Sequence, residues 1–366
     1  MIPLIKPFLA PRKELMPEVQ KTLYSGYIAQ GKKVEIFEEL IQKKLGLNKN
    51  TVLTLNSGTS ALHLALILAG VNKDDEVIST AWTAEPTNVA IKMMNAKIRY
   101  ADIDSDFGNI SVKSILSKIN NKTKAIIVVD YAGMSVNVKE LKLIEKKYNI
   151  PIIHDVAHSL GTTYKGLYPG HHFTFTAFSF QAIKHLTTID GGCLVCKNSN
   201  HYTKGKKMRW FGLDKNLSRA ENNITFQGYK YHMNDVNATI GITQFKHFDE
   251  IIFKHKKNGY FLTKMLQNIN GVKLIDSYAE TEPSFWFYTL LVDKKDDFMN
   301  YLNKNNISCS QVHKRNDQHS FLNDFNEDLP NLNLFLKKMI HIPCGWWLSK
   351  SDLSHIVNTI KKFSEI

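Results

Sequence analysis

One lysine in this sequence, Lys184, has an environment suited to covalent catalysis. It lies among apolar side chains, with Phe178, Phe180 and Ile183 before it and Leu186 after it. An amine held among apolar groups is partly desolvated, so its pKa falls and more of it is neutral and nucleophilic. This setting favours Schiff-base chemistry. The alternative is an ordinary surface lysine, since 47 residues of the chain are Lys or Arg and most such side chains are exposed.

A turn of small residues predicts a site for an anion such as a phosphate. The apolar strand predicted at 52–55 is followed by Ser57, Gly58, Thr59 and Ser60, and then by an apolar helix. The N-terminus of a helix presents free backbone N–H groups and the positive end of the helix dipole, and glycine lets a phosphate approach closely. Helix capping by the hydroxyl side chains alone is the competing explanation.

Two further residues lie shortly after predicted strands. Asp155 follows the apolar strand predicted at 150–154, where a carboxylate is costly to bury without a partner. It either caps a helix or meets a protonated ring nitrogen. Trp82 comes after the strand predicted at 76–79 and is either part of the core or a flat surface on which an aromatic cofactor stacks.

Strands and helices alternate through the first part of the chain. The predicted strands in this pattern are at 52–55, 76–79, 98–101, 125–129 and 150–154. Such alternation predicts an α/β fold in which helices cover both faces of a mostly parallel sheet. Ligands then bind at the carboxyl ends of the strands.

The later residues predict a smaller α+β domain. A helical stretch at 235–253 precedes further predicted strands at 271–274 and 285–292 and helices at 295–304 and 353–363. We therefore predict a large domain at 1–250, which includes the N-terminal segment, and a small C-terminal domain at 251–366.

Charge and hydropathy argue against two classes of partner. The formal net charge of +13 suggests nucleic-acid binding, but the lysines are scattered along helical stretches instead of gathered with aromatic residues into one stripe. We expect no nucleic-acid partner and a residual preference for anionic small molecules. No run is apolar for long enough to span a bilayer, and the first residues lack the build of a signal peptide, which predicts a cytoplasmic protein without membrane contact.

The four cysteines predict neither a metal site nor a disulfide framework. Cys193 and Cys196 form a CxxC motif on a predicted strand, without a second CxxC or a nearby pair of histidines, and Cys309 and Cys344 stand alone. Buried structural thiols are the interpretation that this pattern favours.

The order of these motifs resembles one protein family. Gly58-Thr59-Ser60, an aromatic residue in the next strand-to-helix loop, Asp155-Val156-Ala157-His158 and the block before Lys184 are similar to the pyridoxal-phosphate-dependent sugar aminotransferases of the DegT/StrS type. These belong to the fold type I aspartate aminotransferase superfamily. The resemblance runs along nearly the whole chain. It implies a three-layer αβα architecture with a mostly parallel sheet, a smaller C-terminal α+β domain, and pyridoxal 5'-phosphate (PLP), which alternates with pyridoxamine phosphate (PMP), as cofactor.

The resemblance implies a role for each residue of the site. Lys184 matches the lysine that forms the Schiff base with PLP and then moves a proton between cofactor and substrate. Asp155 matches the carboxylate that keeps the pyridine nitrogen protonated, and His158 matches the polar residue near the ring hydroxyl. Trp82 matches the aromatic residue that stacks on the ring. The phosphate contacts match Gly58, Thr59, Ser179 and Gln181.

The resemblance also implies a homodimer with active sites at the interface. The stretch 228–235 is similar to the family segment that crosses between subunits and usually carries an asparagine to the neighbouring phosphate. Here Lys230 and His232 occupy the corresponding positions, and a cation can still bind phosphate.

Six residues are predicted to face the substrate. Tyr27 and Gln30 lie in a loop between two glycines, for which an ordinary turn between helices is the alternative. His313 and its neighbours place cations beside hydrogen-bonding groups, as a site for a diphosphate and sugar hydroxyls would, although a solvated loop gives the same pattern. The predicted set is Tyr27, Gln30, His185, His313, Lys314 and Arg315.

The predicted function is transamination, with an amino acid, glutamate in the first place, as donor and a nucleotide-linked keto sugar as acceptor. Thr187-Thr188 resembles family members that act at C4 of a 4-keto-6-deoxyhexose, and the implied pathway is amino-sugar biosynthesis for a surface polysaccharide such as lipopolysaccharide O-antigen. The alternatives are an aminotransferase for a long-chain sugar acid of the octulosonate type, a PLP-dependent sugar dehydratase, and a regulatory nucleic-acid-binding protein. The dehydratases of the family carry histidine in place of the lysine, whereas Lys184 is present here and the histidine is at 185.

Overall fold

A central sheet of seven strands organises the computed structural model, which describes residues 1–364. Its strands are β1 (Val52–Leu55), β2 (Glu76–Thr80), β3 (Lys97–Ala101), β4 (Thr123–Val129), β5 (Ile152–Asp155), β7 (Phe175–Ser179) and β8 (Gly192–Cys196). Their spatial order is β1-β8-β7-β5-β4-β2-β3. Neighbouring strands are parallel from β7 to β3, whereas β8 is antiparallel to both β1 and β7. The sheet is therefore mostly parallel, as predicted.

Helices cover both faces of this sheet. The helices of the first part of the chain are α1 (Arg12–Leu23), α2 (Lys32–Leu45), α3 (Gly58–Leu68), α4 (Glu85–Met93), α5 (Val112–Lys118), α6 (Val138–Tyr148), α7 (Ser199–Met208) and α8 (Asp235–Phe245). Successive residues of a strand point to opposite faces, so Ile127 packs with the core on the α3 side while Ile126 and Val128 pack with the core on the α6 side. This arrangement confirms the predicted three-layer α/β fold.

Helix α3 is apolar on every side because it is enclosed by other elements. All of its residues from Ser60 to Leu66 are buried, and it packs against β7, β8 and α4. A short pair of strands, β6 (Thr163–Tyr164) and β10 (Thr281–Glu282), connects the two parts of the chain. The rigid setting of α3 fixes the position of its N-terminus at the edge of the sheet.

The C-terminal part forms a smaller unit around a three-stranded antiparallel sheet. The remaining elements are α9 (Phe248–Leu266), β9 (Val272–Leu274), β11 (Tyr288–Val292), α10 (Lys295–Lys304), α11 (Pro330–Lys338), β12 (Met339–Ile342) and α12 (Lys350–Phe363). The strands lie in the order β12-β11-β9. Residues of α9, α10 and α12 pack with this sheet in one apolar cluster, which makes the unit α+β, as predicted.

Helix α9 belongs to both units. Phe248 and Ile252 pack with the core of the large domain, whereas Leu262 and Leu266 pack with the core of the small one. The predicted boundary between residues 250 and 251 falls inside this helix. The helical stretch predicted at 235–253 is two helices, since α8 ends at Phe245 and α9 begins at Phe248.

The strand predicted at 285–292 begins three residues later than expected. Phe285 has a left-handed backbone with φ of 49°, which interrupts the extended conformation, and β11 starts at Tyr288. Residues 285–287 instead cross towards the large domain.

The cysteines are buried and unpaired with one another. Cys193 and Cys196 are both on β8 and pack into the cores on opposite faces of the sheet, which excludes a disulfide between them. Within residues 1–364, the structure has no cluster of side chains arranged to hold a metal ion. Over the same residues, no helix combines the length and apolar character needed to cross a membrane.

Candidate active site

A cavity of about 400 Å³ lies at the carboxyl ends of the parallel strands. Its walls include the last residues of β4, β5 and β7, the first residues of α3 and α4, and the loop that contains Lys184. The small domain contributes Trp286, Val312 and His313. This is the edge at which open α/β sheets bind ligands.

Lys184 reaches the cavity from the loop after β7. Its Nζ lies 3.9 Å from the centroid of the Trp286 ring. The cavity leaves part of the side chain accessible, but protein atoms crowd the amine on its other sides. Burial lowers the pKa of Lys184 to about 7, and the charge of Asp155 acts in the opposite direction. A large share of this amine is therefore neutral near neutral pH.

Asp155 ends β5 and its carboxylate forms part of the cavity wall although it is only 4 % exposed. One oxygen accepts a hydrogen bond of 2.8 Å from the Thr87 hydroxyl and the other accepts one of 3.1 Å from the backbone N–H of Ala157. Burial raises the pKa of Asp155, while these two hydrogen bonds and the charge of Lys184 oppose the rise. A carboxylate in this setting gains from a cationic N–H partner.

His158 lies beside Asp155 in the turn after β5. Its ring stacks on Trp286 with centroids 3.9 Å apart and an interplanar angle of 25°. Burial, together with the charge of Lys184, holds the pKa of His158 well below its usual range, so the imidazole is neutral. Its Nδ1 is buried without a hydrogen-bond partner among the described residues, which suits a polar group of a ligand.

The N-terminus of α3 and the end of β7 form a cradle for an anion. Ser57 caps the helix by accepting a hydrogen bond of 3.0 Å from Ser60 N–H, while Gly58 and Thr59 have no preceding helical carbonyl to bond. A Cβ on Gly58 would lie 2.9 Å from the Cβ of Ser179, so only glycine allows this close approach. Gln181 also lines the cavity at this end.

These residues fit PLP by the chemistry of their groups. The cradle offers N–H and hydroxyl donors to a phosphate, and Asp155 offers an acceptor to a protonated ring nitrogen. The unpartnered Nδ1 of His158 is available to a ring oxygen, and the amine of Lys184 lies in the same cavity. The site residues that the sequence predicts for the cofactor therefore come together, with three exceptions: Trp82, Lys230 and His232.

Trp82 does not line the cavity. It is 1 % exposed, and its ring packs in the core against Tyr131, with centroids 4.6 Å apart. The positions of this loop that line the cavity are Thr83 and Ala84, because the indole turns inward under the start of α4. The prediction of Trp82 as the stacking surface therefore needs correction: Trp286 supplies the indole on the cavity wall.

Lys230 and His232 lie on a different surface of the chain. They line an open depression of about 640 Å³ together with Ile28 and Ala29 of the N-terminal loop. Tyr27, in the same loop, is 80 % exposed. Gln30 is half-buried, and its Oε1 has no hydrogen-bond partner among residues 1–364. All four predicted residues, Tyr27, Gln30, Lys230 and His232, lie outside the cavity of their own chain.

Of the predicted substrate residues, His313 alone lines the cavity. Its Nδ1 lies 3.8 Å from a carboxylate oxygen of Glu85 at the start of α4. Burial lowers the pKa of His313 to about 4, opposed by Glu85, so this ring is a neutral hydrogen-bonding group. His185 points away from the cavity and is buried beside His255, with ring centroids 4.6 Å apart.

Two predicted cations do not reach the cavity. The Arg315 guanidinium forms two hydrogen bonds with Asp317, one of them 2.7 Å long, and a further one with Asn333. Its donors are engaged inside the protein and are not presented to a diphosphate. Lys314 is exposed and does not line the cavity. The prediction that these two residues bind substrate in this chain is not supported by where their side chains lie.

Thr87 and Trp286 belong to the site although the sequence alone did not point to them. Thr87, in the first turn of α4, donates a hydrogen bond to Asp155, and its hydroxyl lies 2.9 Å from that of Thr83 in the loop before the helix. Trp286 lies in a run of four aromatic residues that the sequence analysis assigned to a strand. Nothing local in the sequence distinguishes it from its neighbours.

Comparison with known proteins extends this agreement along the chain. The model of the DegT/DnrJ/EryC1/StrS aminotransferase family matches residues 10–361. A relative from Campylobacter jejuni, named UDP-4-amino-4,6-dideoxy-N-acetyl-beta-L-altrosamine transaminase, is 32 % identical over 93 % of this chain and 92 % of its own.

Solved structures give the same result for the fold and the cofactor. The sugar aminotransferase CalS13 from Micromonospora echinospora is 33 % identical, and the match covers 99 % of this chain and 100 % of that one with a TM-score of 0.94. Spr1654 from Streptococcus pneumoniae, solved in PLP and PMP forms, is 26 % identical over 100 % of this chain and 98 % of its own, with a TM-score of 0.90. The chain therefore belongs to the DegT/DnrJ/EryC1/StrS aminotransferase family, and it is a PLP-dependent aminotransferase with the fold type I architecture.

Proposed function

We propose that this enzyme transfers the amino group of L-glutamate to the C4 ketone of a nucleotide-linked 4-keto-6-deoxyhexose. The position of the Lys184 amine, in one cavity with Asp155 and the α3 N-terminus, supports transamination most directly. The nucleotide-sugar acceptor is supported by the name of the Campylobacter jejuni relative, which acts on a UDP-linked 4-amino-4,6-dideoxy sugar. The proposed setting is the cytoplasm, in amino-sugar biosynthesis for a surface polysaccharide such as lipopolysaccharide O-antigen.

The protein contributes orientation and charge to this reaction. Bound PLP supplies an electron sink that stabilises negative charge on the substrate carbon. Asp155 holds a proton at the ring nitrogen, and Thr87 and the Ala157 N–H keep the carboxylate in place. His158 offers Nδ1 to the ring oxygen, and the cradle at Gly58 binds the phosphate.

Lys184 moves the proton at the substrate carbon. Its pKa of about 7 would let the neutral amine accept a proton from one carbon and the resulting ammonium deliver it to the other within each half of the reaction. Lys184, His313 and Glu85 line the same cavity. The side chains of His313 and Glu85 are the proposed contacts for hydroxyl groups of the sugar.

The residues after the lysine shape its loop. The Thr187 hydroxyl donates a 3.2 Å hydrogen bond to the Phe180 carbonyl, and the Thr188 hydroxyl donates one of 2.8 Å to the Asp190 carbonyl. Both threonines are buried. Their link to C4 specificity is therefore proposed to act through the loop conformation.

A labelled transfer assay tests the function. Purified enzyme with PLP and ¹⁵N-glutamate is incubated separately with UDP- and TDP-linked 4-keto-6-deoxyhexoses, their 3-keto isomers and an octulosonate-type keto acid. We expect ¹⁵N at C4 of a nucleotide sugar, detected by NMR, and none with Lys184→Ala. Label at C3 refutes the regiochemistry, and label only in the sugar acid refutes the substrate class.

The proposed enzyme is a homodimer in which each subunit completes the site of the other. Lys230 and His232 lie outside the cavity of their own chain, on an open depression, and Tyr27 and Ile28 are exposed apolar side chains in the adjoining loop. In this proposal Lys230 and His232 of one subunit contact the phosphate group of the PLP bound in the cavity of the other subunit.

Subunit mixing tests this proposal. Lys184→Ala and a Lys230→Ala/His232→Ala double variant are each expected to have low activity. Refolded together, they should recover roughly a quarter of the wild-type activity, because half of the dimers are mixed and each has one complete site of two. Without recovery, and with mixed dimers verified by mass spectrometry, Lys230 and His232 do not act across subunits.

A further inference from the structure

Trp286 touches two titratable side chains that line the cavity together with Asp155, namely Lys184 and His158. The Lys184 Nζ lies 3.9 Å from the centroid of its ring, and the His158 ring stacks on it, also at 3.9 Å. Its indole N–H donates a hydrogen bond of 3.1 Å to the carbonyl of Ile183, the residue before the lysine. Trp286 is 2 % exposed and forms the wall between the cavity and a small void behind Lys184.

The backbone around Trp286 is held firmly by the large domain. Its N–H donates a hydrogen bond of 2.9 Å to the carbonyl of Ala132, and Ser284 N–H donates one of 3.0 Å to the carbonyl of Gly133. Ala132 and Phe285 both have left-handed backbones, with φ of 55° and 49°. Non-glycine residues in this region persist where the surrounding structure fixes them, and such positions cluster at functional sites.

Two features favour the protonated form of the Lys184 amine: the face of the Trp286 ring and the charge of Asp155. Asp155, His158 and His313 line the same cavity as Lys184, and His185 follows it in the chain but points away from the cavity. Burial keeps the three histidines neutral, so Asp155 is the opposing charge among them. The negative face of an indole attracts a cation, and the attraction is strongest when water is excluded.

In a PLP-dependent transamination the lysine amine is released while the amino donor takes its place on the cofactor. A flexible lysine has many conformations, and a productive return requires that its amine stay within reach of the reacting carbon.

We propose that Trp286 is a positioning residue that holds the released amine of Lys184 on its ring face until the amine acts again. The indole N–H fixes the backbone next to the lysine, and the ring fixes the amine itself. The same ring positions His158. The small domain thereby controls a catalytic group that the large domain supplies.

Labelling of the cofactor-free protein tests the contact without any turnover. Trace labelling with an amine-directed reagent is carried out across a pH series and read by mass spectrometry of the Lys184 peptide. The pH dependence of the labelling rate gives the titration midpoint of the Lys184 amine. Trp286→Leu should lower that midpoint by about half to one pH unit, because the ammonium loses its attraction to the ring. Trp286→Phe keeps a ring face and should stay close to wild type.

Two controls separate positioning from general loosening. Phe298→Leu removes a buried aromatic ring from the small-domain core without touching the cavity, and should leave the midpoint unchanged. Replacement of tryptophan by fluorotryptophan keeps the shape and the N–H of the side chain but weakens the attraction of the ring face for a cation. This protein replaces Trp286→Leu in the test if the leucine variant does not fold. It should shift the midpoint in the same direction as the leucine variant.

Kinetics of the PLP-loaded enzyme provide the second readout. Trp286→Leu should lower kcat about tenfold with little change in KM, because substrate still binds while the amine is misplaced. An unchanged Lys184 midpoint in both the leucine variant and the fluorotryptophan protein overturns the proposal. The proposal is also overturned if Phe298→Leu changes the Lys184 midpoint and kcat as much as Trp286→Leu does.

Discussion

The two walls of the cavity are built in different ways. On the large-domain wall, Asp155, Ser179 and Gly58 lie at the ends of regular strands or at the start of a helix. On the small-domain wall, Trp286 and His313 follow residues with left-handed backbones, Phe285 with φ of 49° and Val312 with φ of 70°. One wall follows from regular secondary structure, whereas the other depends on how irregular segments are held by the rest of the protein.

This difference corresponds to a division of chemical roles. The large-domain wall has the groups that fit PLP, the cofactor of this aminotransferase. The small-domain wall has neutral aromatic and imidazole groups, which are the proposed neighbours of the substrate. Regular elements give a precise constant site, and irregular segments tolerate the changes that alter specificity.

The largest expected effect is at the centre of the large-domain wall. Lys184→Ala should reduce turnover by about 10⁴-fold or more, because both covalent and proton-transfer roles are lost. The circular dichroism spectrum should be unchanged, since the lysine side chain faces a cavity. Turnover within tenfold of wild type in this variant would refute the mechanism.

Asp155 should show opposite effects on activity and on the stability of the cofactor-free protein. Asp155→Asn should lower kcat by about 10²–10³-fold, because the neutral amide no longer holds a proton at the ring nitrogen. Burial raises the pKa of Asp155 in the folded state, so its carboxyl group loses the proton at a lower pH in the unfolded state than in the folded one. The free energy of unfolding therefore falls as pH rises from the ordinary pKa of aspartate to the raised pKa of the folded state.

Chemical denaturation at several pH values measures this second effect. The free energy of unfolding of the cofactor-free Asn variant should equal or exceed that of wild type, with a difference that grows as pH rises from the ordinary pKa of aspartate. Thr87→Val is the matched control, because it removes a hydrogen bond to the same carboxylate and should cost both activity and stability. A less stable Asn variant at every pH would contradict the inference that burial outweighs the hydrogen bonds and the Lys184 charge at the Asp155 carboxylate.

The same division explains what could be predicted from the sequence. The fold and the positions of Asp155 and the Gly58 turn follow from alternating apolar strands and helices, because strand ends meet at one edge of the sheet. The resemblance to the family implied the roles of Lys184 and His158. The sequence left open whether Trp82 lies in the core or on the cavity wall, since the outcome depends on space in the core beside Tyr131.

The residues of the small-domain wall were harder to predict from the sequence, and the reason is physical. Arg315 has the residue type that a diphosphate site needs, but a partner two residues away, Asp317, engages its guanidinium. Trp286 lies on the wall because Ala132, more than a hundred residues earlier, accepts a hydrogen bond from its backbone. Contacts of that range leave no periodic signal in a sequence.

Uptake of PLP should titrate with the lysine on the large-domain wall and not with the histidines on the other. The pKa of Lys184 is lowered to about 7 by burial, so covalent uptake of PLP by the cofactor-free protein should accelerate with rising pH and level off about one unit above that value. Stopped-flow absorbance measures the rate. An acceleration that continues to pH 10 would mean that the amine is not desolvated.

The smallest effects should distinguish two neighbours on the small-domain side. His313→Ala should raise KM for the sugar substrate about three- to tenfold, because a neutral hydrogen-bonding group leaves the cavity wall. Arg315→Ala should leave KM unchanged and lower the free energy of unfolding by about 1–2 kcal/mol, because Asp317 loses its partner. Steady-state kinetics and urea denaturation of both variants test the pair. A KM effect confined to Arg315→Ala would show that its guanidinium leaves Asp317 to bind substrate, and the contrast between the two walls would then rest on a conformational change.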